Sequence, residues 1–483
     1  MKILYIHESV PRPDKSGCDL RLAKTVDALL NAKHAVTLLA RFPTAEQHYA
    51  DELRSRGIDL ELGTEPEDAK AYAAWCDGPE SRFRMILRKS YDAAVLPLWF
   101  WRHLTIPDDF LLPIRIHSPS TRILVLTDDR QGYRQELVAN LTVSFVQYEL
   151  SIDFSEREAL YYRSADAVLT ISEEEAAYVR RLAPSRPVFC IPFSATAQSR
   201  IPDFASRHGL LFLADFDNFA GRDAMHWFID NVWPIILERA PLMHLSIAGN
   251  RSERALQRAV TNVSCIGHVS DLRKLFKTHR LFVSPLRIGS GIATKNVLAM
   301  SHGLPIITTP VGIQGLGNPG SCIVVSPLYA PDFAAAILNH YEDQTWWSRS
   351  SIATRAHIAD FFSPLGAEAS LNAALSETMH YRDGLKDPAD ELLLANPYPV
   401  RDRSGFGQIV LADSLLAQGD IKRAFRQFRY ALYRLQFQGA GGRQNYLRTL
   451  RGLRECYTRS NDMNGVHRCT EEKVQAQRGY PFE

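Results

Sequence analysis

Short, uninterrupted apolar runs constrain this chain more than any other feature. Ile3–Ile6, Ala35–Leu39, Ala93–Leu96, Ile123–Leu126, Ala167–Ile171 and Val188–Ile191 are such runs, with helical patterns between them, the first at Leu20–Leu30. A strand with one wet face alternates apolar and polar residues; a strand covered on both faces does not have to. The runs therefore predict parallel strands sandwiched between helices. After a polar stretch near 195–208 the series resumes at Leu210–Leu213, His244–Ala248, Val263–Ile266, Leu281–Val283, Pro305–Thr308 and Ile323–Val325. The reading is α/β, with two doubly wound Rossmann-like domains joined near 195–207. Such sheets bind ligands beyond the carboxyl ends of their strands, so two facing domains make a cleft.

From about residue 385 the strand signals stop. Gly405–Arg434 holds two amphipathic stretches around a Gly419-Asp420 turn. Ala412, Leu415, Gly419, Ala424, Phe428, Ala431 and Leu432 stand where a tetratricopeptide repeat places its packing residues, and Tyr446–Gln475 is a weaker second match. One repeat cannot bury its own face. The tail is expected either to pack on the second α/β domain or to join a protein partner or a second copy of the chain. The predicted units are 1–195, 205–363, a crossover helix and linker at 364–384, and an all-α extension at 385–483.

Charge and cysteine content narrow the function classes. The net charge is +2, which gives no global field for nucleic acid. The seven cysteines are odd in number and widely spaced, with no CxxC, which fits a reducing compartment better than a disulfide framework. The opening MKILYIHESV reads as a first strand rather than a secretory leader. No run of 18 apolar residues occurs. The expected location is cytoplasmic, with the inner-membrane surface open to a peripheral form.

Chemistry is concentrated in Leu281–Leu316, LFVSPLRIGSGIATKNVLAMSHGLPIITTPVGIQGL. A strand ends near Pro285, then come Arg287, Gly289-Ser290-Gly291 and a helix containing Lys295. The glycines let a ligand approach the backbone. The helix start offers unpaired N–H groups and the positive end of a dipole. Arg287 and Lys295 add two cations, which makes the segment a candidate phosphate or diphosphate site. Arg222 is a further candidate contact for that anion.

This segment resembles the donor-binding signature of family 4 glycosyltransferases of GT-B architecture, in the polysaccharide-assembly branch. Other stretches resemble the family in the same order: Pro11–Arg21 (PRPDKSGCDLR), Val125–Arg134 (VLTDDRQGYR), Ala165–Ser172 (ADAVLTIS), Leu211–Pro234 and Val263–Leu272 (VSCIGHVSDL). The resemblance covers about residues 1–380. It implies a retaining transfer of a sugar from a nucleoside diphosphate to an acceptor hydroxyl of a glycan, lipid or protein, with no cofactor and no metal. It implies that Arg287 and Lys295 stabilise the leaving diphosphate. Gly17, Arg222, Gly267, His268, Val269, Gly289, Ser290 and Gly291 would contact the donor, and Asp129 and Arg134 the acceptor. The chain departs from the family at Ser290 and Leu298, which stand where two glutamates are usual. The second of these normally holds the ribose hydroxyls, and Leu298 has no acceptor for them. A non-catalytic, glycosyltransferase-like binding or scaffolding protein is the alternative that this departure keeps open.

Overall fold

The computed structural model describes residues 1–42, 46–63, 82–99, 105–256, 258–381, 406–435 and 442–478. Cys76, Phe100, Trp101 and most of the linker before the tail lie outside these residues.

Two all-parallel sheets form the body. The first runs β3-β2-β1-β4-β5-β6-β7, built from β1 (Lys2–His7), β2 (Ala35–Ala40), β3 (Asp59–Leu62), β4 (Ala93–Leu98), β5 (Arg122–Thr127), β6 (Ala167–Thr170) and β7 (Val188–Cys190). The second runs β10-β9-β8-β11-β12-β13, from β8 (Leu210–Leu213), β9 (Leu245–Ala248), β10 (Val263–Gly267), β11 (Leu281–Ser284), β12 (Ile306–Thr308) and β13 (Ile323–Val325). The two-domain α/β reading holds. In both sheets the order reverses beside the first strand, where a crevice opens. The inner strands are buried on both faces, and Ala93–Leu98 is buried at every position. The edge strand β3 was not legible: its sequence is DLEL, half of it charged, and it lies half-buried at the margin.

Helices cover the sheets. Of those that position the cleft, α1 (Gly17–Asn31) follows β1, α2 (Gln131–Thr142) and α3 (Phe145–Ser164) follow β5, and α4 (Glu173–Leu182) follows β6. In the second domain α5 (Phe219–Trp227) follows β8 and α6 (Thr294–Ser301) follows β11. A late helix, α7 (Pro364–His380), comes back to the first domain. Its Leu371, Ala374 and Leu375 join the core built by β1, β2 and α1, and Asn372 meets His34 at 3.2 Å.

The tail forms two helical hairpins, α8 (Phe406–Ala417) with α9 (Ile421–Leu435) and α10 (Arg443–Arg459) with α11 (Met463–Arg478). Gly452 makes room for the Phe428 ring, and Gly465 for Tyr457. The tail docks on the first domain; the sequence had offered the second domain or a partner chain. Val146 and Leu150 of α3 enter the tail's apolar core. Arg429 of α9 reaches Glu149 at 3.1 Å and Glu156 at 3.2 Å, and Tyr457 donates to Glu149 at 2.7 Å. Helix α3 is covered on one side by its own sheet and on the other by the tail, so its apolar residues do not confine themselves to one stripe. Among the described residues no helix is long and apolar enough to cross a membrane.

The buried Glu149–Arg429 pair makes this docking testable. Removing one partner of a buried pair leaves an uncompensated charge and costs about 3–5 kcal/mol. Arg429→Met is expected to lower stability by that amount in urea unfolding, and Glu149→Gln in the same chain to recover part of the loss. A single variant as stable as the parent would show that the pair does not hold the tail.

Candidate active site

The carboxyl ends of the two sheets face each other, so the helices that follow them start at the cleft. At α1, Ser16 caps the helix by accepting from the Asp19 N–H at 3.0 Å. At α6 the residue before the helix is Ala293, which offers no side-chain cap. The two starts touch: a Cβ built on Gly17 would stand 2.5 Å from Thr294 Oγ1. Two positive helix ends therefore converge on one point, where an anion is favoured.

The Gly289-Ser290-Gly291 turn lies between β11 and α6 and presses on the loop after β5. A Cβ on Gly291 would stand 2.5 Å from Asp129 Oδ1 and 3.0 Å from the Asp128 carbonyl oxygen. The other oxygen, Asp129 Oδ2, accepts from Arg134 at 3.2 Å, and the same guanidinium donates across the cleft to Asn218 Oδ1 at 2.9 Å. Asn218 is also the N-cap of α5. Burial pushes the Asp129 carboxyl up, while the Arg134 charge pulls it down. Asp128 is held by Arg21 of α1, which also donates to the Thr127 carbonyl at 3.0 Å.

The start of α2 has no side-chain cap of its own. Glu158 of α3 takes that role from a distance, accepting from Gln131 N–H at 2.5 Å and Gly132 N–H at 3.4 Å. Burial pushes its carboxyl up to about 8. Glu175, at the start of α4, accepts from Ile171 N–H at 2.9 Å and is pushed up to about 7, again by burial. The charge of Glu175 adds to the rise at Glu158, and that of Asp129 to the rise at Glu175; sequence reasoning did not find this coupling.

Lys295 lies in the first turn of α6 with Nζ 5.0 Å from the centre of the Phe212 ring. Burial pushes its ammonium down to about 8, and the Arg134 charge acts in the same direction. Arg287 is not a free cation. Its Nε donates to Asp223 Oδ2 at 2.9 Å, and its Nη2 makes a second contact to the other oxygen. Arg222, the neighbouring candidate, turns instead to the Phe216 carbonyl at 2.6 Å. The sequence signal at α5 was read one residue too early: Asp223 is the side chain that enters the site.

The remaining candidates line the far end of the cleft. Gly267 adopts φ +83°, its N–H donates to Ser252 Oγ at 2.9 Å, and its carbonyl accepts from Gly249 N–H at 2.8 Å. His268 reaches across to Asp14 of the first domain at 4.0 Å, and Val269 is half-buried beside it. Leu298 packs on the apolar cluster beneath α6 and offers no polar group to the cleft.

Comparison with known proteins agrees with this geometry. Residues 207–343 match the family described as Glycosyl transferases group 1. A relative from Klebsiella pneumoniae, described as an uncharacterized 44.6 kDa protein in the cps region, is 27% identical over 111 residues. That match spans 21% of this chain and 29% of the relative, less than a third of its length. Sucrose-phosphate synthase from Thermosynechococcus elongatus superposes with a TM-score of 0.60 at 15% identity, over 79% of this chain and 99% of that one. HepE of Anabaena, solved with UDP and glucose, gives 0.55 at 14% identity over 78% and 100%. A putative UDP-N-acetylglucosamine 2-epimerase from Listeria monocytogenes gives 0.51 at 11% identity over 79% and 97%. At these identities the structures share the fold, which is of GT-B type, and the fold is host to more than one reaction.

The cross-domain contact at Gly291 is open to a direct test. Gly291→Ala would drive a methyl group into Asp129 and the Asp128 carbonyl, and overpacking of this kind typically costs about 1–3 kcal/mol. A lowered Tm for Gly291→Ala relative to the parent is the expected result. A Tm equal to the parent's would mean the two domains do not meet at Gly291.

Proposed function

We propose that the protein is a nucleotide-sugar-dependent glycosyltransferase of family 4 that moves a sugar with retention onto an acceptor hydroxyl in surface-polysaccharide, glycolipid or glycoprotein synthesis. The observation that carries this reading is the meeting of two helix starts, α1 and α6, beside Lys295 and a glycine turn. That arrangement suits a diphosphate. The Glycosyl transferases group 1 match over 207–343 covers the same turn. HepE, of the same fold, is described with UDP and glucose, and the Klebsiella relative with a cps region; both support the assignment of substrate class and pathway.

In this mechanism the leaving diphosphate gains charge as the bond to the sugar breaks. Lys295 and the amides at the start of α6 meet that charge where it develops. Arg287 is oriented by Asp223, and the carboxylate offsets much of its positive charge. The first domain, through Asp129 and Arg134, receives the acceptor.

Leu298 favours a second reading, a binding protein that holds a nucleotide without turnover. Incubation with a panel of nucleotide sugars separates the two. Release of free nucleotide supports the transferase, while thermal stabilisation without release supports the binding protein.

The Lys295 environment gives the panel a pH signature. An anion favours the charged ammonium and so raises its pKa on binding. The gain from Lys295 is fully present below about pH 8, the free-protein value, and is lost as pH rises above it. Nucleotide affinity measured by calorimetry is expected to be flat below neutral pH and to fall in mildly alkaline solution. Lys295→Ala is expected to weaken binding by ~1.5–3 kcal/mol and abolish that fall. Arg287→Ala, whose charge Asp223 already offsets, is expected to cost less. Affinity unchanged in Lys295→Ala would remove the diphosphate from this site.

A further inference from the structure

We propose that the nucleotide sugar this cleft takes is a 2′-deoxyribonucleoside diphosphate sugar, and that Leu298 is the residue that selects it. The inference rests on the transferase reading above and specifies its donor.

The diphosphate limits where its nucleoside can lie. Thr294 and Lys295 open α6, and Leu298 follows them by four and three positions, so the three stand on one face of the helix. Thr294 marks that face as the cleft side, because it meets Gly17 of the first domain. The loop after β10 runs along the same face. Leu272, at the end of that loop, joins Leu298 and Leu20 of α1 in packing on one apolar cluster. Burial pushes the imidazole of His302, one turn beyond Leu298, down, and the charge of Asp271 in the loop acts against that. At the other end of the loop there is room for a flat base: a Cβ built on Gly267 meets nothing within 4 Å. Ligands of such sheets lie beyond the carboxyl ends of the strands. A base at Gly267 and a diphosphate at the start of α6 leave the pentose between them, against Leu298 and Leu272.

That stretch of wall is aliphatic. Leu20, Leu272 and Leu298 are each half-buried rather than enclosed. The carboxylate of the loop, Asp271, is taken by Arg273, which donates to its two oxygens at 2.8 and 2.9 Å. A ribose carries two neighbouring hydroxyls on one edge of its ring and needs two acceptors there, as a free carboxylate can supply. Leucines supply none, and a hydroxyl pressed on them gives up water without replacement. A 2′-deoxyribose carries one hydroxyl on that edge and a methylene in place of the other, which an aliphatic wall accepts. The wall therefore separates the two kinds of donor by the cost of one unpaired hydroxyl. The diphosphate contacts at Lys295 are the same for both, so the selection is confined to the pentose.

Calorimetry on the full-length protein tests this with nucleoside diphosphates paired by base: UDP with dUDP, ADP with dADP, GDP with dGDP, CDP with dCDP, and 5-methyluridine diphosphate with thymidine diphosphate. In the pair whose base binds best, the deoxy member is expected to bind more tightly by threefold or more, up to about 10²-fold, the range an apolar pocket reaches against an added hydroxyl. Leu298→Glu, which places a carboxylate on this wall, is expected to shift the ratio toward the ribonucleotide. A ratio below threefold in the parent, or a tighter ribonucleotide, overturns the proposal and leaves the transferase reading standing. A Leu298→Glu variant that still binds the deoxyribonucleotide and keeps the parent's ratio overturns it as well, because the pentose then lies elsewhere. A parent protein that binds none of the pairs overturns the transferase reading, and this inference falls with it.

Discussion

Two positive helix ends held face to face at Gly17 and Thr294 set the terms for everything else in the cleft. Each carries roughly half a charge, and four cationic side chains, Arg21, Arg134, Arg287 and Lys295, gather around them. Without an anion such a cluster repels itself. The chain supplies its own: Asp128 for Arg21, Asp129 for Arg134 and Asp223 for Arg287. Among the described residues no ion pair holds Lys295, and it is the group whose ammonium burial pushes down to about 8. The guanidiniums are in this way oriented and nearly neutralised, and the imbalance that remains is concentrated at the start of α6. A ligand with two phosphates completes the balance more fully than one with a single charge. Each aspartate also has a positional task, since Asp129 and Asn218 use Arg134 to join the two domains.

How much of this was legible depends on how far apart the partners lie. The strands could be read because burial on both faces leaves an uninterrupted apolar run, a purely local signal. The glycine turn with Arg287 and Lys295 could be read because its parts fall within fifteen residues of one another on the page of sequence. The Asp129–Arg134 ion pair spans five positions, from the loop after β5 into the start of α2. What could not be read are the long-range pairings. Asp223 and Arg287 are separated by 64 positions, Glu149 and Arg429 by 280. Nothing in a single sequence couples them. The docking face of the tail failed for a related reason. Val146 and Leu150 sit in a helix half of whose residues are polar, several of them buried, so its sequence has no single apolar stripe to show what covers it. Arg222 was preferred to Asp223 because a cation near a suspected phosphate site attracts attention, whereas the structure uses the carboxylate to orient a cation already there. No local signal marks Glu158 as the group that caps α2, since it stands 27 positions from Gln131 and only the fold brings the two together.

The path of the chain between the two domains carries one more consequence. It leaves the first domain through the segment before β8 and returns at the start of α7, and the two passes lie side by side, with the Ala195 N–H donating to the Phe362 carbonyl at 2.7 Å. A single tether would let one lobe swivel freely about the other. Two parallel tethers stitched together behave like the spine of a book. Sliding or twisting one lobe past the other strains both passes, while rotation about the line that joins them strains neither. Parts of the cleft far from that spine then travel furthest for a given turn, whereas residues close to it hardly shift.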